Sequence, residues 1–168
     1  MTLTTHAVVG AAISSALRLN PGAALLAGFM SHFLLDRLPH WDYKLDSAKI
    51  DEKNPLNDDI PVNKKAIRDW VKISFDILLG PCLVLIFFMS NGQTDWESLL
   101  AGAFGGMLPD GLKFIFMKFR REPLKLFYRF HHLMHSSLKT KDVFWGPCLQ
   151  AIILLLALIL GNWSFFIW

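Results

Sequence analysis

Hydrophobic positions along the chain form long segments that polar turns separate. The first two apolar segments run over about 5–19 and 22–38, with Asn20-Pro21 between them. A third begins amphipathically near residue 63 and is continuously apolar over 73–89, a fourth covers 95–119, and the last covers 144–168. A bilayer core needs roughly 20 residues of helix. The pattern therefore predicts an all-α, polytopic membrane protein of about five to six helices, whose first two helices are short for full spans.

The polar stretches divide one predicted membrane domain, 1–168, into five parts. Residues 1–40 form a first helix pair, 41–65 a cytoplasmic loop rich in Asp, Lys, Asn and Pro, and 66–119 a second helix pair. Residues 120–141 form a basic amphipathic segment that contains histidines, a pattern typical of a helix at the membrane interface. Residues 142–168 form the last membrane helix.

Composition and charge support the membrane interpretation. Of 168 residues, 53% are hydrophobic and 18% are charged, which is unusual for a soluble domain. The net charge of +3 does not come with a base-reading motif, so no nucleic-acid partner is expected. Instead, Lys and Arg concentrate at 44–72 and 113–141, beside the apolar helices. The positive-inside rule places both regions in the cytoplasm.

Ionisable residues recur at matching positions inside the apolar helices, and this recurrence indicates an internal two-helix repeat. When the two LLAG strings at 25–28 and 99–102 are aligned, Asp36 falls on Asp110. In each string the matching residues between the glycine and this aspartate recur every four positions, so they lie on one face of the helix. The preceding helices also match, with His6-AVV-Gly10 over Asp76-ILL-Gly80. Such glycines let helix backbones approach closely in lipid. The alternative is a chance match, because glycine patterns are common in membrane helices.

The repeat and the charge asymmetry predict one layer of ionisable side chains on the cytoplasmic side. Carboxylates and imidazoles on facing helices are how helical bundles bind metals, and N and O donors suit Zn, Mn or Fe. Without a metal, carboxylates in such a layer would repel one another or remain protonated. The predicted ligands of a divalent metal are His6, His32, Asp36, Asp76, Asp110 and His135.

Five further residues near this layer are candidates for catalysis or substrate binding. His40 and Asp42 follow Pro39 at the end of the second helix, and His131 belongs to a second histidine cluster. Side chains of these types can carry protons in hydrolysis. Lys113, three residues after Asp110, and Arg129 are candidates to bind an anionic substrate, although positive-inside charge alone also explains them.

Four motifs give the chain a family resemblance: THAVVGAA at the start, SHFLLDRLPHWD, GGMLPD, and a histidine cluster that ends in His-Ser. With these, the sequence resembles the predicted membrane-bound metal-dependent hydrolases, the family of LexA-regulated inner-membrane proteins, and is more distantly similar to zinc-dependent phospholipase C. The resemblance implies a bacterial-type inner membrane and metal ligands at His6, at Pro109-Asp110, and at His131 or His132 with His135-Ser136. The chain lacks the family's His-Arg-Gly and has Leu35-Asp36 where a Pro-Asp would stand.

Together these patterns predict a membrane-embedded metal-dependent hydrolase that acts on a lipid phosphate ester at the cytoplasmic leaflet. Membrane lipid is therefore an expected partner of the protein. A small transporter or ion-binding protein that uses the same carboxylates is the alternative, and a structural role for the polar residues is a third. The chain contains no Gly-rich phosphate loop, GxSxG or HExxH motif. Association as a homo-oligomer is left open by the sequence.

Overall fold

A computed structural model of the chain describes residues 1–51, 53–89, 95–135 and 145–166, and side chains as far as residue 162. Within these residues the protein is all-α, without a strand, and contains six α-helices, which confirms the predicted fold class. A π-helical turn, Leu85–Met89, continues the third helix, and two 3-10 turns precede it. The helices are α1 Leu3–Ala16, α2 Pro21–Asp36, α3 Ile67–Val84, α4 Trp96–Phe119, α5 Leu124–Met134 and α6 Trp145–Phe166.

Side-chain caps set the beginning of three helices. The Thr2 hydroxyl accepts a hydrogen bond from the Thr5 amide, and the Asn20 side chain accepts one from the Ala23 amide. In both α1 and α2, a side-chain oxygen therefore satisfies an N–H group of the first turn. Asp95 caps α4 in the same way, as its sequence position predicts. Residues 90–94, between the third and fourth predicted apolar segments, and residues 136–144 and 167–168 of the last two predicted segments lie outside the described residues.

In the part of the chain that the structure describes, three helices are long and apolar enough to cross a membrane: α3 with its flanking turns over Lys64–Met89, α4, and α6 over Trp145–Asn162. The other two apolar helices, α1 and α2, have only 14 and 16 residues. Helix α1 nevertheless contacts α2, α3, α4 and α6, and its Ala7, Val8 and Ala11 lie at the centre of the main hydrophobic cluster. In a membrane, a helix shorter than the bilayer is tolerated where protein surrounds it, as it does α1.

Glycines of the predicted repeat permit the closest helix contacts. A Cβ atom on Gly10 or on Gly28 would lie 2.2 Å from the Gly102 carbonyl oxygen, and one on Gly106 would lie 2.2 Å from the carbonyl oxygen of His6. No side chain fits at such distances, so α4 approaches both α1 and α2 along a strip of glycine. This packing brings the N-terminal end of α1, the C-terminal end of α2 and the late turns of α4 together.

The predicted loop 41–65 folds back over the ends of α4 and α5. Lys49 and Asp59 form an isolated bridge within it. The Tyr128 hydroxyl of α5 shares its proton between the Pro55 carbonyl oxygen at 2.8 Å and Asp58 at 3.0 Å, and Lys118 of α4 pairs with Asp59 at 2.6 Å. These contacts hold α5 against the end of the bundle, where the ionisable residues lie.

Candidate metal centre

The centre is organised around the carboxylate of Asp36, the last residue of α2, which is buried. His32 lies one turn earlier on the same helix, and its Nε2 atom is 3.2 Å from Asp36 Oδ2. His6, from the first turns of α1, places Nε2 at 3.2 Å from Oδ1 of the same carboxylate, and its ring stacks on that of His32. Two helices therefore bring imidazoles to opposite oxygens of one aspartate.

The remaining imidazoles arrive from α5 and from the segment after α2. The Nε2 atoms of His131 and His135 each lie 3.7 Å from Asp36 Oδ2, and that of His40 lies 4.0 Å from Oδ1. His131 also approaches Asp110 of α4, at 3.5 Å from Oδ1. Thus Asp36 and Asp110, the aligned pair of the repeat, flank the same imidazole.

These distances suit a metal ion with N and O ligands. Bonds of about 2.0–2.1 Å in a tetrahedral zinc site separate ligand atoms by about 3.3–3.4 Å, close to the separations around Asp36. Within the described residues, three sets of side chains have one ligand atom each within 4.8 Å of one another, so the buried cluster could hold a metal ion. The sets are His6, His32 and Asp36; His32, Asp110 and His131; and Asp36, His40 and His135.

In two of the histidines, a hydrogen bond to one ring nitrogen turns the other ring nitrogen toward the centre as a metal ligand. His32 Nδ1 lies 2.8 Å from the Gly106 carbonyl oxygen and His40 Nδ1 lies 2.8 Å from that of Leu38. A backbone carbonyl can only accept, so each Nδ1 carries the proton and each Nε2 presents a lone pair, which is the usual way in which proteins prepare an imidazole for a metal.

Two buried contacts limit where protons can lie in the centre. The Nε2 atoms of His32 and His131 lie 3.0 Å apart, and because His32 carries its proton on Nδ1, His131 must donate through Nε2 unless a cation lies between the two nitrogens. Among the described residues, both ring nitrogens of His6 lack a hydrogen-bond partner, since its contact with Asp36 has the distance of an ion pair without hydrogen-bond geometry. Buried polar groups are normally paired, and a bound cation would satisfy both contacts.

The charge states at the edge of the centre are those that ligands need. Burial lowers the pKa of His131 to about 3, against the opposing effect of Asp110, and burial also lowers the pKa of His135. Partial burial would raise the pKa of Asp42, but the adjacent His40 ring and the N-terminal ammonium, 2.7 Å from Oδ1, hold it well below its usual range. Neutral imidazoles and ionised carboxylates are the forms that bind metals.

One side of the centre is open. The Asp42 side chain is 44% exposed and that of Asp110 is 27% exposed, whereas His6, His32 and Asp36 are buried. Asp42 lies 3.5 Å from His40 Nε2 on this side. Lys113 is half-buried nearby. Its positive charge lowers the pKa of His131 in addition to the effect of the burial of His131 itself. Asp42 and Asp110 are therefore the carboxylates of the centre nearest to solvent, and the N-terminal ammonium lies beside Asp42 at 2.7 Å.

Asp76 was predicted as a ligand, but the structure places it in a different role. Its two carboxylate oxygens accept hydrogen bonds from the amides of Leu3 at 2.8 Å and Thr4 at 2.9 Å, and the Thr4 hydroxyl donates to it at 2.6 Å. Asp76 belongs to none of the three sets and caps the N-terminus of α1, where a negative charge is stabilised. It supports the centre by fixing the helix that carries His6.

Arg129 also lies apart from the centre. It is exposed and lies two positions before the buried His131 on α5, which places the two side chains on nearly opposite faces of the helix. This placement does not favour the predicted contact of Arg129 with a substrate at the centre.

Sequence reasoning missed the carbonyl of Gly106, which orients His32. The repeat contained the signal, because it aligns Gly106 with His32 itself, and the two equivalent positions prove to be in contact across the helix pair.

Comparisons of the chain with family models, with curated proteins and with solved structures find no match. The proposed function below therefore depends on the residues of the centre and their geometry.

Proposed function

We propose that this chain is a membrane-embedded hydrolase that uses divalent metal to cleave a lipid phosphate ester. The observation that carries the proposal is the convergence of buried imidazole and carboxylate donors on Asp36 from α1, α2 and α5, in a cluster that is open on one side. A site that only joined helices would not need its donors at the ligand spacing of a metal, nor an opening.

The donor sets accommodate two ions. His32, Asp110 and His131 share no residue with Asp36, His40 and His135, so each set can hold its own ion, with His6 beside Asp36 as a further ligand. His32 can serve only one ion, because Gly106 occupies its other nitrogen. Zn, Mn or Fe fits this mixture of N and O donors.

The metal, when bound, would acidify a water molecule and polarise a phosphoryl oxygen. The chain's own residues supply the remaining functions. Asp42, half-exposed beside His40 and paired with the N-terminal ammonium at 2.7 Å, would accept a proton from the attacking water. Lys113 offers a positive charge on the open side to an anionic phosphate. His131, predicted as catalytic, contacts both Asp110 and His32, and this position favours a role as ligand.

A lipid phosphate is the substrate class that the surroundings favour. Three candidate spans hold the bundle in a membrane, and the centre lies at one end of α1, α2 and the late part of α4, beside the amphipathic α5. Phosphate esters of lipids are found at the corresponding depth, at the boundary of the hydrocarbon core. The positive-inside rule assigns this end to the cytoplasmic leaflet.

Metal content tests the first half of the proposal. We expect the full-length protein, purified without chelator, to contain stoichiometric metal by plasma mass spectrometry, and Asp36→Ala and Asp110→Ala to lose at least half of it. Asp46→Ala is the matched control, because Asp46 is an exposed loop carboxylate that pairs with Lys44 and Lys72 and belongs to none of the three donor sets. Helical circular dichroism checks that each variant folds. A metal-free wild-type protein, or equal loss in the control, would refute the metal centre.

Phosphate release tests the second half. We expect the metal-loaded protein to release inorganic phosphate from detergent-dispersed phosphatidic acid or a polyprenyl phosphate, and chelation followed by metal return to abolish and then restore the release. Metal binding without release from either lipid would reject hydrolysis. Metal flux into proteoliposomes under those conditions would favour the transporter.

A further inference from the structure

Helix α5 presents three different strips along its length. Tyr128 and His131 are buried on the first strip, which faces the bundle. The second strip contains Leu126, Phe130 and Leu133, whose exposed fractions are 67%, 46% and 74%. Their spacing of four and three residues places them on one side of the helix.

The third strip is basic and lies between the other two. Lys125, Arg129 and His132 follow the same spacing of four and three, and the latter two are exposed. In the described part of the chain, no carboxylate forms an ion pair with Lys125 or Arg129. Charge is therefore available on this strip.

The orientation of these strips is fixed by contacts on the buried side. The Tyr128 hydroxyl shares its proton between the Pro55 carbonyl and Asp58 of the loop, and the ring of Phe33 on α2 packs edge-on against Phe127. Rotation of α5 to bury its apolar strip would break these contacts and would withdraw His131 from Asp36. The apolar and basic strips consequently remain on the outside.

We propose that this outer surface of α5 docks on the anionic headgroup layer of the membrane that holds the bundle, with Leu126, Phe130 and Leu133 in the acyl boundary and Lys125 and Arg129 on lipid phosphates. An apolar strip beside a basic strip is how helices lie in the plane of a membrane interface. The docking places the inner face of α5, with His131, at the depth of lipid phosphates. That these phosphates include the substrate rests on the proposed function.

Charge distinguishes a lipid surface from a second copy of the chain as the occupant. In a symmetric dimer the same patch meets itself, so the basic strip of one protomer would lie close to that of its partner. Anionic lipid instead complements the strip, and each Lys or Arg near such a surface contributes about 1 kcal/mol, or about fivefold in binding. Loss of both Lys125 and Arg129 should therefore weaken the preference for anionic lipid by about 30-fold.

The depth of α5 is the first measurement. In a background where Cys82→Ser and Cys148→Ser remove both native thiols, single variants Leu133→Cys and Lys44→Cys are labelled with an environment-sensitive fluorophore in full-length protein. The protein is reconstituted in metal-free nanodiscs that contain 30% phosphatidylglycerol. We expect acyl-chain nitroxide lipids to quench the label at 133 and not that at the exposed loop residue 44. Equal quenching at both positions, or none at 133, would overturn the proposal.

Lipid preference is the second measurement. We expect quencher-labelled phosphatidylglycerol to compete against phosphatidylcholine for the label at 133, and Lys125→Gln/Arg129→Gln to reduce that preference about 30-fold. The matched control, Lys44→Gln/Lys53→Gln, removes the same charge from the exposed loop and should leave the preference unchanged. No preference in the parent, or an equal loss in the control, would refute the anionic surface. Quenching that depends on protein concentration would indicate a second copy instead. Neither measurement uses turnover, so both outcomes are independent of hydrolysis.

Discussion

Replacing Gly106 with alanine should move α1 away from α4 and so disturb the metal centre without changing any ligand. The new Cβ would lie 2.2 Å from the carbonyl oxygen of His6 and 2.8 Å from its carbonyl carbon, while ordinary contact begins at 3.4 Å. The backbones must therefore separate by about 1.2 Å at this point. Both clashing atoms belong to the backbone, so no side-chain rotation relieves them.

The expected magnitude follows from this overpacking. Extra volume in a tightly packed interior costs about 1–3 kcal/mol, and for a chain of this length each kcal/mol lowers the Tm by about 2–4 °C. The substitution would displace His6, whose Nε2 atom is 3.2 Å from Asp36. It would also disturb the Gly106 carbonyl, which orients His32. Loss of such supporting contacts typically weakens metal binding about 10–100-fold.

Gly111→Ala provides the control on the same helix, because a Cβ at Gly111 meets nothing within 4 Å. There the substitution should stabilise α4 by up to about 1 kcal/mol through helix propensity. Thermal unfolding in one detergent and metal titration of both variants make the comparison. If Gly106→Ala matched Gly111→Ala in Tm and in metal affinity, the close contact of α1 with α4 would be refuted.

Three other substitutions separate structural roles from chemical ones. Asp76→Asn should lower the Tm while retaining metal, because loss of the charge weakens the cap of α1 by about 1 kcal/mol; loss of metal with an unchanged Tm would instead make Asp76 a ligand. Tyr128→Phe should lower the free energy of unfolding by about 1.5–3 kcal/mol, because it leaves buried Asp58 without its hydroxyl donor. It should also weaken metal binding, because it loosens the helix that carries His131. Unchanged thermal unfolding would count against this role of the Tyr128 hydroxyl. Asp42→Asn should keep bound metal but slow phosphate release, because Asp42 lies on the open side, and unaltered release would exclude it as proton acceptor.

The sequence predicted the parts of this molecule that follow from local pattern. Apolar runs located the helices, and the repeated glycines predicted the close contacts of α4 because a missing side chain is visible in any sequence. The alignment of Asp36 with Asp110 likewise anticipated that both would lie beside one centre, since helix periodicity fixes which residues share a face.

Roles that depend on contact between distant residues could not be predicted in this way. An aspartate in an apolar helix looks the same whether it binds a metal or, like Asp76, caps a helix 72 residues away in sequence. Arg129 and His131 are two residues apart in one basic segment, yet only packing of α5 on the loop determines which of them turns inward. Such assignments need the arrangement of whole helices.

The central position of the short α1 has a consequence for the order in which the molecule is made. This helix is synthesised before α4 and α6, which pack on it. A helix of this length would not span a bilayer alone, so in a membrane α1 would be held at the surface or beside α2 until α4 and α6 insert. His6 meets His131 only after α5 has been translated, and a chain that ended before α5 would lack one side of the cluster around Asp36.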